Sequence, residues 1–154
     1  MGSILHYFYR RIHRNVPAWV ISGSDIGINR QYDAHMEEAS GSFAIKRVYD
    51  DPADDDGCRV LVDRLWPRGI TKERAQLELW LKEVAPSPPL RKEFAHMQER
   101  FADFRAAYEA ELEQNPAVRT LRELAAEHGK VALLFGARDP ETNHARVLME
   151  FLQR

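Results

Sequence analysis

Along residues 43 to 154 the apolar positions switch between short β-rich runs and longer stretches of helical period. Phe43 to Tyr49 and Arg59 to Leu65 are rich in β-branched and aromatic residues and predict two opening strands, separated by the acidic turn Asp50 to Gly57. Ala75 to Val84 then places Leu77, Trp80, Leu81 and Val84 at helical spacing, which predicts a helix. Ser87 stands before Pro88 as an N-cap stands before a first-turn proline. Phe94, Phe101, Phe104, Tyr108 and Leu112 recur at steps of three, four and seven and form the packing stripe of a helical middle. Asn115-Pro116 opens a helix that buries Val118, Leu121 and Leu124 and stops at His128-Gly129, where glycine supplies a left-handed cap. Val131 to Phe135 lacks polar alternation and predicts a strand covered on both faces, the candidate for the centre of the sheet. Asp139-Pro140 is expected to cap a last helix with His144, Val147, Leu148 and Phe151 on its inner face.

This order predicts an α/β fold: one small sheet of about three or more strands, at least partly parallel, flanked by about four or five helices. Residues 1–42 carry isolated aromatics, arginines and breaker-rich runs without a sustained period, so they are expected to lie outside a domain spanning residues 43–154. Two explanations of that segment stand side by side: a basic, aromatic arm that grips a partner, or an upstream or foreign extension with the natural start at Met36.

Composition narrows the classes. With 154 residues, 44% hydrophobic and 30% charged, the chain suits one globular core, and a formal charge of −2 gives no overall attraction to nucleic acid or anionic membrane. Any cationic site must be local. A single cysteine, Cys58, excludes an intrachain disulfide and a cysteine-rich metal cluster, and it is expected to be a small packed residue. No apolar run reaches the roughly 18 to 20 residues of a spanning helix, and no secretory pattern is evident, so a cytoplasmic location with no membrane partner is expected. The five aspartates between Asp50 and Gly57 lack the spacing of an EF-hand loop and read as a solvated charge run, so no metal is assigned.

Two segments carry candidate chemistry. In Phe135 to His144 a buried strand passes through a glycine-containing turn into a helix start. That is where open α/β sheets collect ligands and where helix amides favour anions; Arg138 lies in the turn, and Asn143 and His144 in the first helical turn. Competing explanations are that Asp139 consumes those amides as a cap and that Arg138 pairs with Asp63 or a helix carboxylate. In Asp63 to Lys72 a strand ends in a turn that gathers Arg64, Arg68 and Lys72 beside Trp66. Guanidinium groups suit phosphate or carboxylate, and the indole could stack on a base or bury beneath a helix. If the two strands are parallel neighbours, Arg64, Arg68, Arg138 and His144 converge at one sheet edge, with Arg91 and His96 as further rim candidates.

Arg59 to Ile70, Trp80 to Ser87, Leu90-Arg91, Leu133 to Asp139 and Asn143 to Ala145 resemble, in order and spacing, the YeaO-like branch of the family numbered 488 among domains of unknown function. The resemblance covers about residues 45 to 152. It implies a compact α/β fold and a polar signature on Asp63, Arg64, Trp66, Arg68, Lys72, Arg91, His96, Arg138, Asp139, Asn143 and His144. Some members of the wider family resemble proteins with a cysteine after the final strand; this chain has Phe135-Gly136-Ala137 there, which argues against a thiol nucleophile.

The leading expectation is a domain that binds a small anionic ligand bearing phosphate or carboxylate, with His144 and Asp139, or Asp63, as the acid-base candidates. The alternatives are a nucleic-acid-associated or regulatory interaction module, and a structural protein whose polar signature only locks turns. The sequence names no cofactor and no oligomeric state.

Overall fold

The computed structural model describes residues 41–95 and 99–154. Residues 1–40 of the expected extension, and His96, lie outside the described residues. Four strands, β1 (Ser42–Arg47), β2 (Cys58–Leu61), β3 (Leu79–Trp80) and β4 (Lys130–Phe135), form one sheet in the order β1-β4-β2-β3. Every neighbouring pair is parallel. Five α-helices accompany them among the described residues: α1 (Lys72–Ala75), α2 (Pro88–Glu93), α3 (Phe101–Glu113), α4 (Ala117–His128) and α5 (His144–Leu152). The α/β class is therefore as expected, and the sheet is wholly parallel.

β4 occupies the interior because five consecutive apolar residues, Val131 to Phe135, let it be covered on both faces. Side chains alternate across a strand, so the two faces separate by residue parity. Leu61, Ala132 and Leu134 face the side closed by Ile70 and Ala75, with Tyr49, Trp66 and Leu77 packed against that cluster. Helices α4 and α5 cover the strands, and α3 packs on α5. Fully buried Phe104, Tyr108 and Leu112 project from α3, so the aromatic stripe is packing, as expected. α4 ends at Gly129, whose φ of 74° is the left-handed cap that its sequence signals. Ser87 caps α2 by accepting the Leu90 amide at 3.3 Å.

Three expectations are corrected. The helix expected over Ala75 to Val84 is three short pieces. α1 ends at Gln76 with φ 46°, Leu79 and Trp80 pair with Val60 and Leu61, and a 3-10 turn spans Lys82–Val84. Hydrogen bonds to the edge of β2 outweigh the local helical period. Both opening strands are shorter than expected, ending at Arg47 and Leu61, so Val48-Tyr49 and Val62 to Leu65 become strand exits. The acidic turn is not all solvated. Asp56 is buried, bonded to Lys46 Nζ at 2.8 Å and paired with Arg59.

Cys58 is 5% exposed, and burial pushes its thiol up to about 11, so it is a packed residue. At pH 8 the folded chain should resist alkylation by iodoacetamide and react fully in denaturant, as mass spectrometry would report. Rapid native labelling would contradict the packing.

Candidate functional site

With all strands parallel, their carboxyl ends lie along one edge, and the exits of β2 and β4 are adjacent. The condition for convergence is thus met. Asp63, in the β2 exit, accepts the Gly136 amide on Oδ2 at 2.8 Å and so ties the two exits together. A Cβ added at Gly136 would stand 2.9 Å from that oxygen and 3.8 Å from Pro67, so a larger residue here would have to displace the Asp63 carboxylate that accepts the amide. His144, the first residue of α5, completes the joint: its Nε2 is 3.2 Å from the Val62 carbonyl and 3.2 Å from Asp63 Oδ1. A carbonyl only accepts, so the geometry puts the ring proton on Nε2. The Oδ1 contact has ion-pair distance without the alignment of a hydrogen bond, and Oδ1 has no hydrogen-bond partner among the described residues. Tyr108 abuts the His144 ring edge-on at 6.4 Å; its buried hydroxyl donates to the Val84 carbonyl at 2.8 Å, and burial pushes the phenol upward.

The acid-base candidates sort differently. The carboxylate beside His144 is Asp63. Asp139 instead accepts the Glu141 and Thr142 amides on Oδ1, at 2.8 and 3.2 Å, and the Thr142 hydroxyl on Oδ2. Asp139 therefore closes the turn before α5, and the expected cap role passes to Asn143. Buried Asn143 accepts the Arg146 amide at 2.9 Å and donates to the Asp139 carbonyl at 2.8 Å. These side chains occupy the Glu141, Thr142 and Arg146 amides at the entry to α5, so charge for an anion must come chiefly from guanidinium groups.

The cations also divide. Arg64 donates to the Ala85 carbonyl at 3.0 Å and the Pro86 carbonyl at 3.2 Å, holding the segment that enters α2. Trp66 donates to the Ile70 carbonyl at 2.7 Å and, partly buried, packs against the core cluster. Arg68 and Arg138 are exposed, and their guanidinium groups make no hydrogen bond or ion pair among the described residues. Their loops meet where Pro67 approaches Gly136. Lys72, opening α1, and Arg91, on α2, are exposed, and no contact joins them to Arg68 or Arg138 among the described residues.

Sequence reasoning missed Arg47 and Tyr49 because it ran the first strand on to Tyr49, which hid the strand end at Arg47. Arg47 Nε donates to the Ala137 carbonyl at 3.2 Å, and its guanidinium lies 5.3 Å from the centre of the Tyr49 ring. The Tyr49 hydroxyl donates to the Arg68 carbonyl at 3.1 Å. These two side chains bridge the Arg138 and Arg68 loops. Their signal was available: polar residues at the carboxyl end of a strand, the feature that singled out Arg64.

Residues 42–154 match the family model described as "Inactive DUF488-N3 subclade". The chain belongs to this family, DUF488-N3i. An uncharacterised protein of Escherichia coli, YeaO, is 44% identical over 108 residues, which cover 70% of this chain and 94% of YeaO. The uncharacterised proteins Rv3073c of Mycobacterium tuberculosis and Mb3100c of Mycobacterium bovis are each 42% identical over 108 residues, covering 70% of this chain and 91% of the relative. No solved structure matches the chain. The YeaO-like resemblance is thus established. These relatives carry no stated activity, and no described helix is long and apolar enough to cross a membrane.

Proposed function

We propose that this DUF488-N3i domain binds a small anionic ligand, bearing phosphate or carboxylate, at the carboxyl edge of its sheet. The observation that carries this reading is the pair of exposed guanidinium groups, Arg68 and Arg138, without protein partners among the described residues, on two loops joined through Pro67, Gly136, Arg47 and Tyr49. Guanidinium is the side chain best matched to a planar or tetrahedral oxyanion. The hydrogen bond from Gly136 N to Asp63 ties the two exits together, and the description of the family as an inactive subclade agrees with binding in preference to turnover.

The test is calorimetric titration of the full chain with inorganic phosphate, sugar phosphates and small carboxylates, with Arg138→Ala alongside. At least one anion should bind, and Arg138→Ala should weaken it about tenfold, the scale of one charge-assisted contact. Its melting temperature should barely change, because an exposed residue without partners contributes little to stability. Undetectable binding of every anion, or unchanged affinity in Arg138→Ala, would overturn the proposal.

A further inference from the structure

The carboxyl edge is chemically uneven. Its β1–β4 half carries Arg47 and Arg138, with Arg68 brought alongside by Tyr49. Its β2–β3 half carries Leu65, 67% exposed in the β2 exit, and Trp80, 38% exposed at the end of β3. Single exposed apolar residues are ordinary on a protein surface. These two are the exposed large hydrophobics identified among the described residues, and they flank adjacent strand exits on the edge that holds the unpartnered cations.

The Trp80 indole is held in place. Its Nε1 donates to the Asp63 carbonyl at 2.7 Å, and Trp66 packs against it at 5.4 Å with the rings at 76°. Lys82 Nζ lies 5.8 Å from the Trp80 ring centre, which adds a cation at this end. β3 and β4 are two strand spacings apart, about 10 Å, so one small molecule could touch Trp80 and Arg138 together.

From this juxtaposition we infer that the ligand is an anion with a flat apolar body, the chemistry of an aryl or nucleoside phosphate, with its ring on Leu65 and Trp80 and its phosphate on Arg138 and Arg68. The inference rests on the anion-binding reading above and adds the second half of the ligand. Fixed aromatic contact area adds affinity with little loss of side-chain freedom, while the guanidinium groups select the charged end.

The experiment is calorimetric titration of the full chain with inorganic phosphate, ribose 5-phosphate, phenyl phosphate and adenosine monophosphate, together with a short single-stranded oligonucleotide. Phenyl phosphate and adenosine monophosphate should bind at least about tenfold more tightly than phosphate or ribose 5-phosphate, the scale expected for burying one ring. Leu65→Ser, at a solvent-exposed position that should not disturb folding, and Trp80→Ala should each reduce that ratio while leaving phosphate affinity in place. Equal affinity for all four small anions would overturn this inference and leave the anion-binding proposal standing. Undetectable binding of all four would overturn both. Tight binding of the oligonucleotide with no binding of adenosine monophosphate would overturn the inference in favour of an extended strand.

Discussion

Arg59→Ala is expected to lower the free energy of unfolding by about 3 kcal/mol, at the low end of the range for breaking a buried ion pair. Arg59 is 6% exposed; Nη1 pairs with Asp56, while Nε and Nη2 donate to the Ala75 carbonyl at 3.1 and 3.0 Å. Truncation removes three hydrogen bonds and leaves the Asp56 carboxylate to Lys46 and the Ala53 amide. Lys46 keeps part of that charge compensated, which is why the low end is expected. Acid should narrow the gap between the proteins. Burial alone would raise the Asp56 carboxyl, but Lys46, the Ala53 amide and Arg59 together hold it below its ordinary value. Its contribution is therefore complete above the unfolded carboxyl range near about 4 and is lost as pH falls through the lower folded value. Urea midpoints with unchanged slopes at pH 7 and at pH 3 provide the check. A loss under 1 kcal/mol at pH 7, or a gap of the same size at both pH values, would show that the pair does not anchor this end of the sheet.

The elements legible in the sequence are those whose signals are local and sustained. β4 announces itself by five apolar residues in a row, α4 by an apolar stripe with a glycine stop, and α2 by Ser87 before Pro88. The segment 75–84 misleads for a physical reason. Leu77 packs with the cluster around Ala75, Trp80 pairs with Leu61, and Val84 is buried from a 3-10 turn, so three environments happen to imitate one helical period. Two residues of β3 are too short to show alternation, and only β2 defines them as a strand. The candidate site was legible to the same depth. Strand exits could be found, and their convergence followed once the strands were parallel. The commitments of individual side chains could not be found, because the acceptors of Arg64 lie 21 and 22 residues away and the partner of His144 lies in another strand exit. Asp139 and Asn143 show the same limit at shorter range, since both are good caps and only the backbone path decides which one starts α5.

Asp63→Ala is expected to cost about 2–3 kcal/mol, the scale of a carboxylate hydrogen bond together with a donor left unsatisfied. The loss falls on the joint between β2 and β4: Gly136 N loses its acceptor, and His144 Nε2 loses the carboxylate 3.2 Å away while keeping the Val62 carbonyl. Asp63→Asn separates the two parts of this cost. The asparagine oxygen can accept the Gly136 amide, which leaves its NH2 group facing His144 Nε2. That nitrogen already carries its proton toward Val62, so two donors would meet at about the 3.2 Å now spanned by Nε2 and Oδ1. The ring can avoid this only by giving up the Val62 bond. Asparagine should therefore recover less than half of the loss, and His144→Ala combined with Asp63→Asn should cost less than the two single losses added together, by about 1 kcal/mol or more. Full stability of Asp63→Asn would mean that the carboxylate serves Gly136 alone and that His144 plays no part in the joint. Less than half, with that coupling, would mean that one carboxylate sets both the β4 exit and the first turn of α5, and so fixes where the Arg138 loop stands.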